Sequence, residues 1–252
     1  MNSLPTSGAP SMATSSAQSV QRSAAPVQPV RVPMRVWDLP TRLFHWTLAL
    51  SIVASVVTGK IGGGAMVWHF RLGLLAMGLL AFRLVWGLVG GRWSRFASFI
   101  YAPSTVLRYL RGQQRPGEHL DVGHNPLGAG SVLAMIAILV VQVGTGLVAD
   151  DEIANVGPLN KFVATATGLA ATAWHKTYGQ AIIITLVVLH IGAILFYRFK
   201  KNTDLIGPMV RGDKLLDASV PASRDDARTR LMALAIALAS AGLVTWVMRQ
   251  AG

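Results

Sequence analysis

Two copies of one short pattern, WHxxxG, contain the residues of this chain best suited to binding a cofactor. The first copy is WHFRLG at 68–73 and the second is WHKTYG at 174–179, and each stands at the start of a long apolar run. An imidazole in apolar surroundings is costly unless it has a partner. Imidazole nitrogens ligate zinc, copper and iron. The pattern therefore predicts metal-ligating roles for His69 and His175.

The composition indicates a membrane protein. Of 252 residues, 52% are hydrophobic and 13% charged, and the mean hydropathy is +0.47, which is too apolar for a soluble domain of this size. Runs of about 18 apolar residues can cross a bilayer core as helices, and no strand-like alternation suggests a barrel. Five such runs are present, at approximately 43–59, 67–89, 127–149, 174–197 and 231–248.

The net charge of +12 reports orientation. Lys and Arg are concentrated in the leading segment, between the second and third runs and after the fourth, while the alternate loops have few. This bias predicts a cytoplasmic N-terminus, five crossings and an external C-terminus, and it leaves no reason to expect a nucleic-acid partner. The expected organisation is a disordered cytoplasmic tail with no cleaved signal peptide (1–33), a four-helix domain (34–200), a cytoplasmic loop (201–229) and a fifth helix (230–252).

The orientation places four histidines at two depths. The second and fourth runs both start at the external face, so His69 and His175 are expected at the same depth. His190 follows His175 by fifteen residues, which places it about 22 Å deeper on roughly the same helix face. Its available partner is His45, near the inner end of the first run. The other two histidines lie in the cytoplasmic loop: His119 and His124.

Two imidazoles at each depth are typical of haem. The chain has no cysteine, which excludes thiolate-ligated iron–sulfur clusters and covalent c-type haem. A closed zinc site requires about four ligands at one point, and the apolar runs contain no Asp or Glu. Six-coordinate haem requires two axial ligands from the protein. The pattern therefore predicts two non-covalent b-type haems, an outer and an inner one.

Haem propionates are anions that need basic partners at low dielectric. Arg71 and Lys176, each close in sequence to a histidine, are candidates for the outer haem. Arg83, near the inner end of the second run, and Arg42 are candidates for the inner one. Contact of these side chains with lipid headgroups is the alternative.

Glycines near the histidines are expected to leave room for a flat macrocycle. Gly73 and Gly179 each follow a predicted ligand by four residues, and Gly59 falls at the outer level on the first helix. The stretch from Gly144 to Gly146 is interpreted as helix packing by small residues. In GHNPLG, Asn125 and Pro126 predict the capped start of the third helix, with no role required for His124.

Several motifs together resemble a known family. They extend over roughly 36–210 and comprise VWDLPTRLFHW, WHFRLG, RLVWGLVG, GHNPLG, TGL, WHK and LH. This set is similar to the membrane di-haem b-type cytochromes that include bacterial cytochrome b561 and the cytochrome b subunit of nickel-iron hydrogenases.

The resemblance implies an all-α integral membrane protein in the bacterial inner membrane, with a four-helix bundle that holds two bis-His haems. It implies electron transfer between quinone and a partner redox protein, which would be a hydrogenase, another dehydrogenase or a c-type cytochrome. The family's ligands correspond to His45, His69, His175 and His190. The fifth, histidine-free run departs from this pattern.

Two other functions remain open at this point. A proton-coupled transporter or channel would relay protons through the histidines, but it predicts acidic partners within the apolar runs. A passive anchor would recruit a soluble oxidoreductase through the basic loops. The anchor differs in predicting that His190→Ala keeps activity.

Overall fold

The computed structural model describes residues 1–2, 30–115 and 117–251, which are largely helical. Five helices in this part of the chain are long and apolar enough to cross a membrane. They are α1 (Leu39–Ile61), α2 (Met66–Val89), α4 (Pro126–Val148), a continuous helix made of α5 (Thr165–Trp174), a π-helical turn (His175–Gly179) and α6 (Gln180–Lys200), and α8 (Ala227–Met248). The smaller elements are β1 (Arg31–Arg35), α3 (Pro103–Leu110), α7 (Ile206–Arg211) and β2 (Asp213–Asp217).

The five predicted spans are confirmed, but the fourth starts earlier than expected. The sequence placed its start at Trp174, whereas the helix begins at Thr165. The preceding residues, TATGLAATA, are small enough to pack against the end of α4. Thr172 also bonds to both backbone groups of Asp150 at 2.8 Å, which fixes this extension to the α4–α5 loop. WHKTYG therefore lies inside a helix and does not open one.

The long helices meet in two small apolar clusters. Leu80, Leu139 and Ile183 join α2, α4 and α6. A second cluster joins α8 to α1 and α2, and it consists of Phe44, Phe82, Trp86 and Ala233. The fifth helix therefore packs chiefly against α2.

Polar side chains define where three of these helices begin. Asp38 accepts from the backbone N–H of Thr41 at 2.8 Å, and Asn125 accepts from that of Gly128 at 2.8 Å. Asp226 caps α8 in the same way. These bonds satisfy N–H groups that have no partner within the helix, and they confirm the cap predicted at Asn125.

A small cap covers the end of the bundle where α1 and α4 begin. In it β1 pairs antiparallel with β2, from Arg31 opposite Asp217 to Arg35 opposite Asp213. Its core consists of Val36, Trp37, Trp93, Val122 and Val220. Residues 31–33, assigned to a disordered tail by the sequence, thus belong to a strand because the 201–229 segment supplies a partner. Residues 3–29 of that expected tail lie outside the described residues.

Candidate metal centres

The four histidines of the long helices approach each other in two pairs. The ring centres of His69 and His175 are 5.9 Å apart, and those of His45 and His190 are 6.3 Å apart. Metal–imidazole bonds of about 2 Å place the centres of two rings on opposite sides of one metal about 6 Å apart. Both pairs have this separation. They are called the outer and the inner pair, after the predicted orientation.

The surroundings of the pairs favour haem over a closed metal site. Within the described residues, no group of three or more His, Cys, Asp or Glu side chains could hold a metal ion. Each pair thus supplies two protein ligands, whereas a structural zinc site requires four. A porphyrin supplies the remaining nitrogens itself. The donor set therefore fits two bis-imidazole haems.

The outer pair is oriented by backbone carbonyl groups. Nδ1 of His69 is 2.9 Å from the Ser55 carbonyl oxygen, and Nδ1 of His175 is 2.9 Å from that of Gln142. A carbonyl oxygen only accepts hydrogen bonds, so Nδ1 carries the proton in both rings and Nε2 keeps its lone pair. Metal-ligating histidines commonly have this arrangement, which fixes the tautomer and the ring orientation.

Two glycines allow the outer rings to lie close to neighbouring helices. A β-carbon at Gly59 would lie 3.0 Å from Nδ1 of His69, and one at Gly146 would lie 3.1 Å from Cε1 of His175. Gly146 therefore adjoins a candidate ligand, which its interpretation as a helix-packing residue missed. A β-carbon at Gly73 would meet no side chain or neighbouring helix within 4 Å, which fits the predicted open space.

Gly179 has a different role from the one predicted. A β-carbon there would overlap Gln142 and Trp174, so this glycine permits close packing and does not leave room for a macrocycle. It ends the π-helical turn that begins at His175. Gln142 donates from Nε2 to the His175 carbonyl oxygen at 3.1 Å, which stabilises the widened turn from α4. Such single π turns in α-helices are frequent at functional sites.

Arg83 is buried at the end of the bundle that holds the inner pair. The residue is 3% exposed, and its Nη1 has no hydrogen-bond partner. Its guanidinium group lies over the rings of Phe96 and Phe44. A buried cation with a free donor suits an anionic ligand. Of the four basic residues predicted to bind propionates, Arg83 thus has the buried position and the free donor that this role requires.

The other three basic candidates are placed differently. Arg42 donates from Nη1 to the Val210 carbonyl oxygen at 2.7 Å, so its side chain contacts the cap. Arg71 is exposed and lies 4.9 Å from the ring centre of Trp68. Lys176 is also exposed. The positions of Arg71 and Lys176 suit contact with solvent or lipid headgroups.

His124 was given no role by the sequence, yet the structure packs its ring against Trp37 and Phe99 in the cap. Its ring lies 4.8 Å from that of Trp37 and 4.7 Å from that of Phe99, and its Nδ1 is buried without a partner. Burial, together with the charges of Arg83, His190 and His45, lowers the pKa of His124 to about 3. The only sequence signal is its position directly before the Asn125 cap.

Comparison with known proteins agrees with this architecture. Five candidate membrane spans with histidines in two pairs fit the class of membrane b-type cytochromes. The profile of the family described as prokaryotic cytochrome b561 matches residues 36–212. The chain therefore belongs to the prokaryotic cytochrome b561 family, and it is a multi-pass membrane protein that transfers electrons through b-type haem.

Curated relatives carry one kind of name. The chain is 24% identical to the probable Ni/Fe-hydrogenase 1 B-type cytochrome subunit of Escherichia coli K12, over 70% of this chain and 88% of the relative. It is 26% identical to a probable Ni/Fe-hydrogenase B-type cytochrome subunit of Cupriavidus necator, over 70% and 85%. A protein of the same name from Azotobacter vinelandii is 32% identical over 42% and 53%. No solved structure matches the chain significantly.

Proposed function

We propose that the chain carries electrons between the two faces of the membrane through two b-type haems. The outer haem is held by His69 and His175 and the inner one by His45 and His190. The observation that supports this proposal most directly is the separation of the rings, 5.9 Å in one pair and 6.3 Å in the other. Haem iron, when bound, accepts and releases one electron at a time.

The chain's own residues hold and tune the cofactor. The carbonyl groups of Ser55 and Gln142 keep Nε2 of the outer histidines available and make the rings more basic. Arg83 provides a positive charge at the inner end, where it balances a propionate. The apolar side chains of the helices exclude water, which strengthens these electrostatic effects.

The proposed electron partners lie at opposite faces. One is the quinone pool, and the other is a redox protein, for which the names of the relatives favour a Ni/Fe hydrogenase over another dehydrogenase or a c-type cytochrome. The proposed location is the bacterial inner membrane, with the N-terminus and the cap in the cytoplasm and the C-terminus outside. The basic residues of the cap and its loops support this orientation.

The residues of the membrane-spanning helices support neither of the two alternative functions, a proton relay and a passive anchor. A proton relay needs acidic partners, yet α1, α2, α4, α5, α6 and α8 contain no Asp or Glu. A passive anchor gives no reason for four imidazoles to meet in two pairs. Loss of electron transfer to quinone in His190→Ala would contradict the anchor.

Haem content of alanine variants tests the pairing. We expect two haems per wild-type chain and one in each single variant of the four histidines. Because the two partners share one iron, the double variant His69→Ala/His175→Ala should still bind one haem, whereas His69→Ala/His190→Ala should bind none. Haem per chain is measured by the pyridine haemochrome assay and the reduced-minus-oxidised spectrum.

The matched control is His119→Ala, which changes an exposed histidine of the cap and should leave two haems. A colourless wild-type protein, expressed with ample haem, would rule out the proposal. Loss of both haems in the double variant within one pair would contradict the assigned pairs.

A further inference from the structure

Several buried nitrogen atoms without hydrogen-bond partners lie at the inner end of the bundle. They include Nη1 of Arg83, Nδ1 of His45, Nδ1 of His124 and Nε of Arg42. Phe96 and Phe99 connect Arg83 to His124 through ring contacts, and the charges of Arg83 and His45 both act on His124. Buried polar atoms are nearly always hydrogen-bonded in native proteins. This excess of donors indicates a ligand that supplies acceptors.

The acidic residue whose charge acts on Arg83 is already engaged elsewhere. Asp38 is fully buried, and both of its oxygens accept hydrogen bonds. The donors are the Thr41 and Gly91 backbone N–H groups, Trp86 Nε1 and Ser94 Oγ. Asp38 therefore fixes the start of α1 to the cap. Its charge is shared among four donors, which leaves Nη1 of Arg83 unmatched.

Aromatic rings enclose Arg83 and His124, which do not belong to the histidine pairs. Arg83 lies 4.8 Å from the ring centre of Phe96, which is 5.8 Å from that of Phe99. Phe99 in turn packs against His124. An acceptor placed here is shielded from water, and it has to balance the guanidinium charge because an unpaired buried cation is strongly unfavourable.

We propose that His124 and Arg83 together bind a propionate carboxylate of the inner haem, with His124 donating from Nδ1. This inference rests on the proposed function. Two kinds of ligand could supply the acceptor oxygen: a haem propionate and a quinone. A quinone carbonyl would accept the same hydrogen bonds, but it is neutral and would leave the charge of Arg83 unbalanced. His124 thus positions the inner haem from the cap.

The test uses purified holoprotein. His124→Phe keeps an aromatic ring between Trp37 and Phe99 but removes the donor, and His124→Gln keeps a donor. The control is His119→Phe, at the exposed cap histidine. Midpoint potentials are measured by redox titration, and propionate-bending bands by resonance Raman spectroscopy. The component absent from His190→Ala identifies the inner haem.

Both haems should remain in His124→Phe, with a lower potential for the inner haem alone, because the propionate charge is less compensated. Its propionate-bending band should shift, His124→Gln should restore both values, and His119→Phe should change neither. If His124→Phe does not fold, His124→Leu carries the same expectation.

Unchanged potential and bands in the donor-free variants would overturn the inference. Loss of quinone affinity with unchanged propionate bands would also overturn it, and would assign the donor to quinone. Neither result changes the number of haems per chain. Both therefore differ from failure of the proposed function, in which the wild-type chain would bind fewer than two haems.

Discussion

The two histidine pairs differ in what surrounds each ring. Both outer histidines have Nδ1 bonded to a backbone carbonyl oxygen at 2.9 Å. In the inner pair, Nδ1 of His45 is buried without a partner. The outer rings are therefore held by main-chain atoms that no substitution removes. The inner site relies on side chains, among them Arg83 and, by our inference, His124.

Gly146 offers a single-residue test of the outer site. An alanine β-carbon there would lie 3.1 Å from Cε1 of His175, so the ring must move by a few tenths of an ångström. We expect Gly146→Ala to retain two haems but to change the potential and the low-spin electron paramagnetic resonance signal of the outer haem. These signals report the orientation of the axial rings.

Gly144→Ala is the matched control, because a β-carbon at Gly144 meets no atom within 4 Å. Equal spectra for wild type and Gly146→Ala would show that His175 does not ligate the outer iron in this orientation.

Among the elements, the π-helical turn at His175–Gly179 sets the relation between the two pairs. It lies between α5 and α6, and both proposed ligands of the fourth span depend on it, since His175 begins the turn and His190 lies in α6. A residue added to or removed from a helix rotates one half against the other by about 100°. The turn therefore determines the direction of the His175 side chain relative to that of His190, which faces α1.

Deletion of Thr177 tests the role of the turn. Removing one residue favours a regular α-helix, which rotates His175 away from His69 but leaves α6 and His190 in place. The expected result is one haem per chain, with the spectrum of the inner haem. Haem content and the reduced-minus-oxidised spectrum provide the measurement.

Thr177→Ala, which preserves the length of the turn, should bind two haems. Two haems in the deletion variant as well would show that the widened turn is not needed to orient His175.

At the scale of the whole molecule, the cap distinguishes one end of the bundle from the other. It joins the residues before α1, the α2–α4 connection and the segment between α6 and α8. Three distant parts of the chain thus enclose the inner end. The outer end has shorter connections, including 149–164 between α4 and α5. This asymmetry follows the distribution of basic residues that predicts the orientation.

Cysteine labelling tests that orientation. Because the chain contains no cysteine, only the introduced thiol reacts with the label. Ser104→Cys places a thiol on α3 of the cap, and Ala154→Cys places one in the α4–α5 loop, both at exposed positions. A membrane-impermeant maleimide should label Ala154→Cys in spheroplasts. It should label Ser104→Cys only after permeabilisation. The cysteine-free parent is the control, and the reverse pattern would invert the proposed topology.

The spans and the depths of the histidines were predictable because they depend on position along the chain. Hydropathy marks where a helix can cross, and each residue of a helix adds 1.5 Å of depth, so His175 and His190 had to lie at different levels. The charge bias then placed His69 beside His175 and His45 beside His190. The rings lie in these two pairs.

Contacts across helices were decided only by the tertiary structure. Gly146 and Gly179 both looked like small packing or spacing residues, yet one adjoins His175 and the other admits Gln142. His124 lies in a connection whose path no periodicity describes, so its place between Trp37 and Phe99 depends on how the cap folds. The amino-acid sequence determined the membrane spans and the level of each imidazole, because these follow from local composition and helix rise. Only packing determined which side chains surround the imidazoles, because it brings together residues that are far apart in the chain.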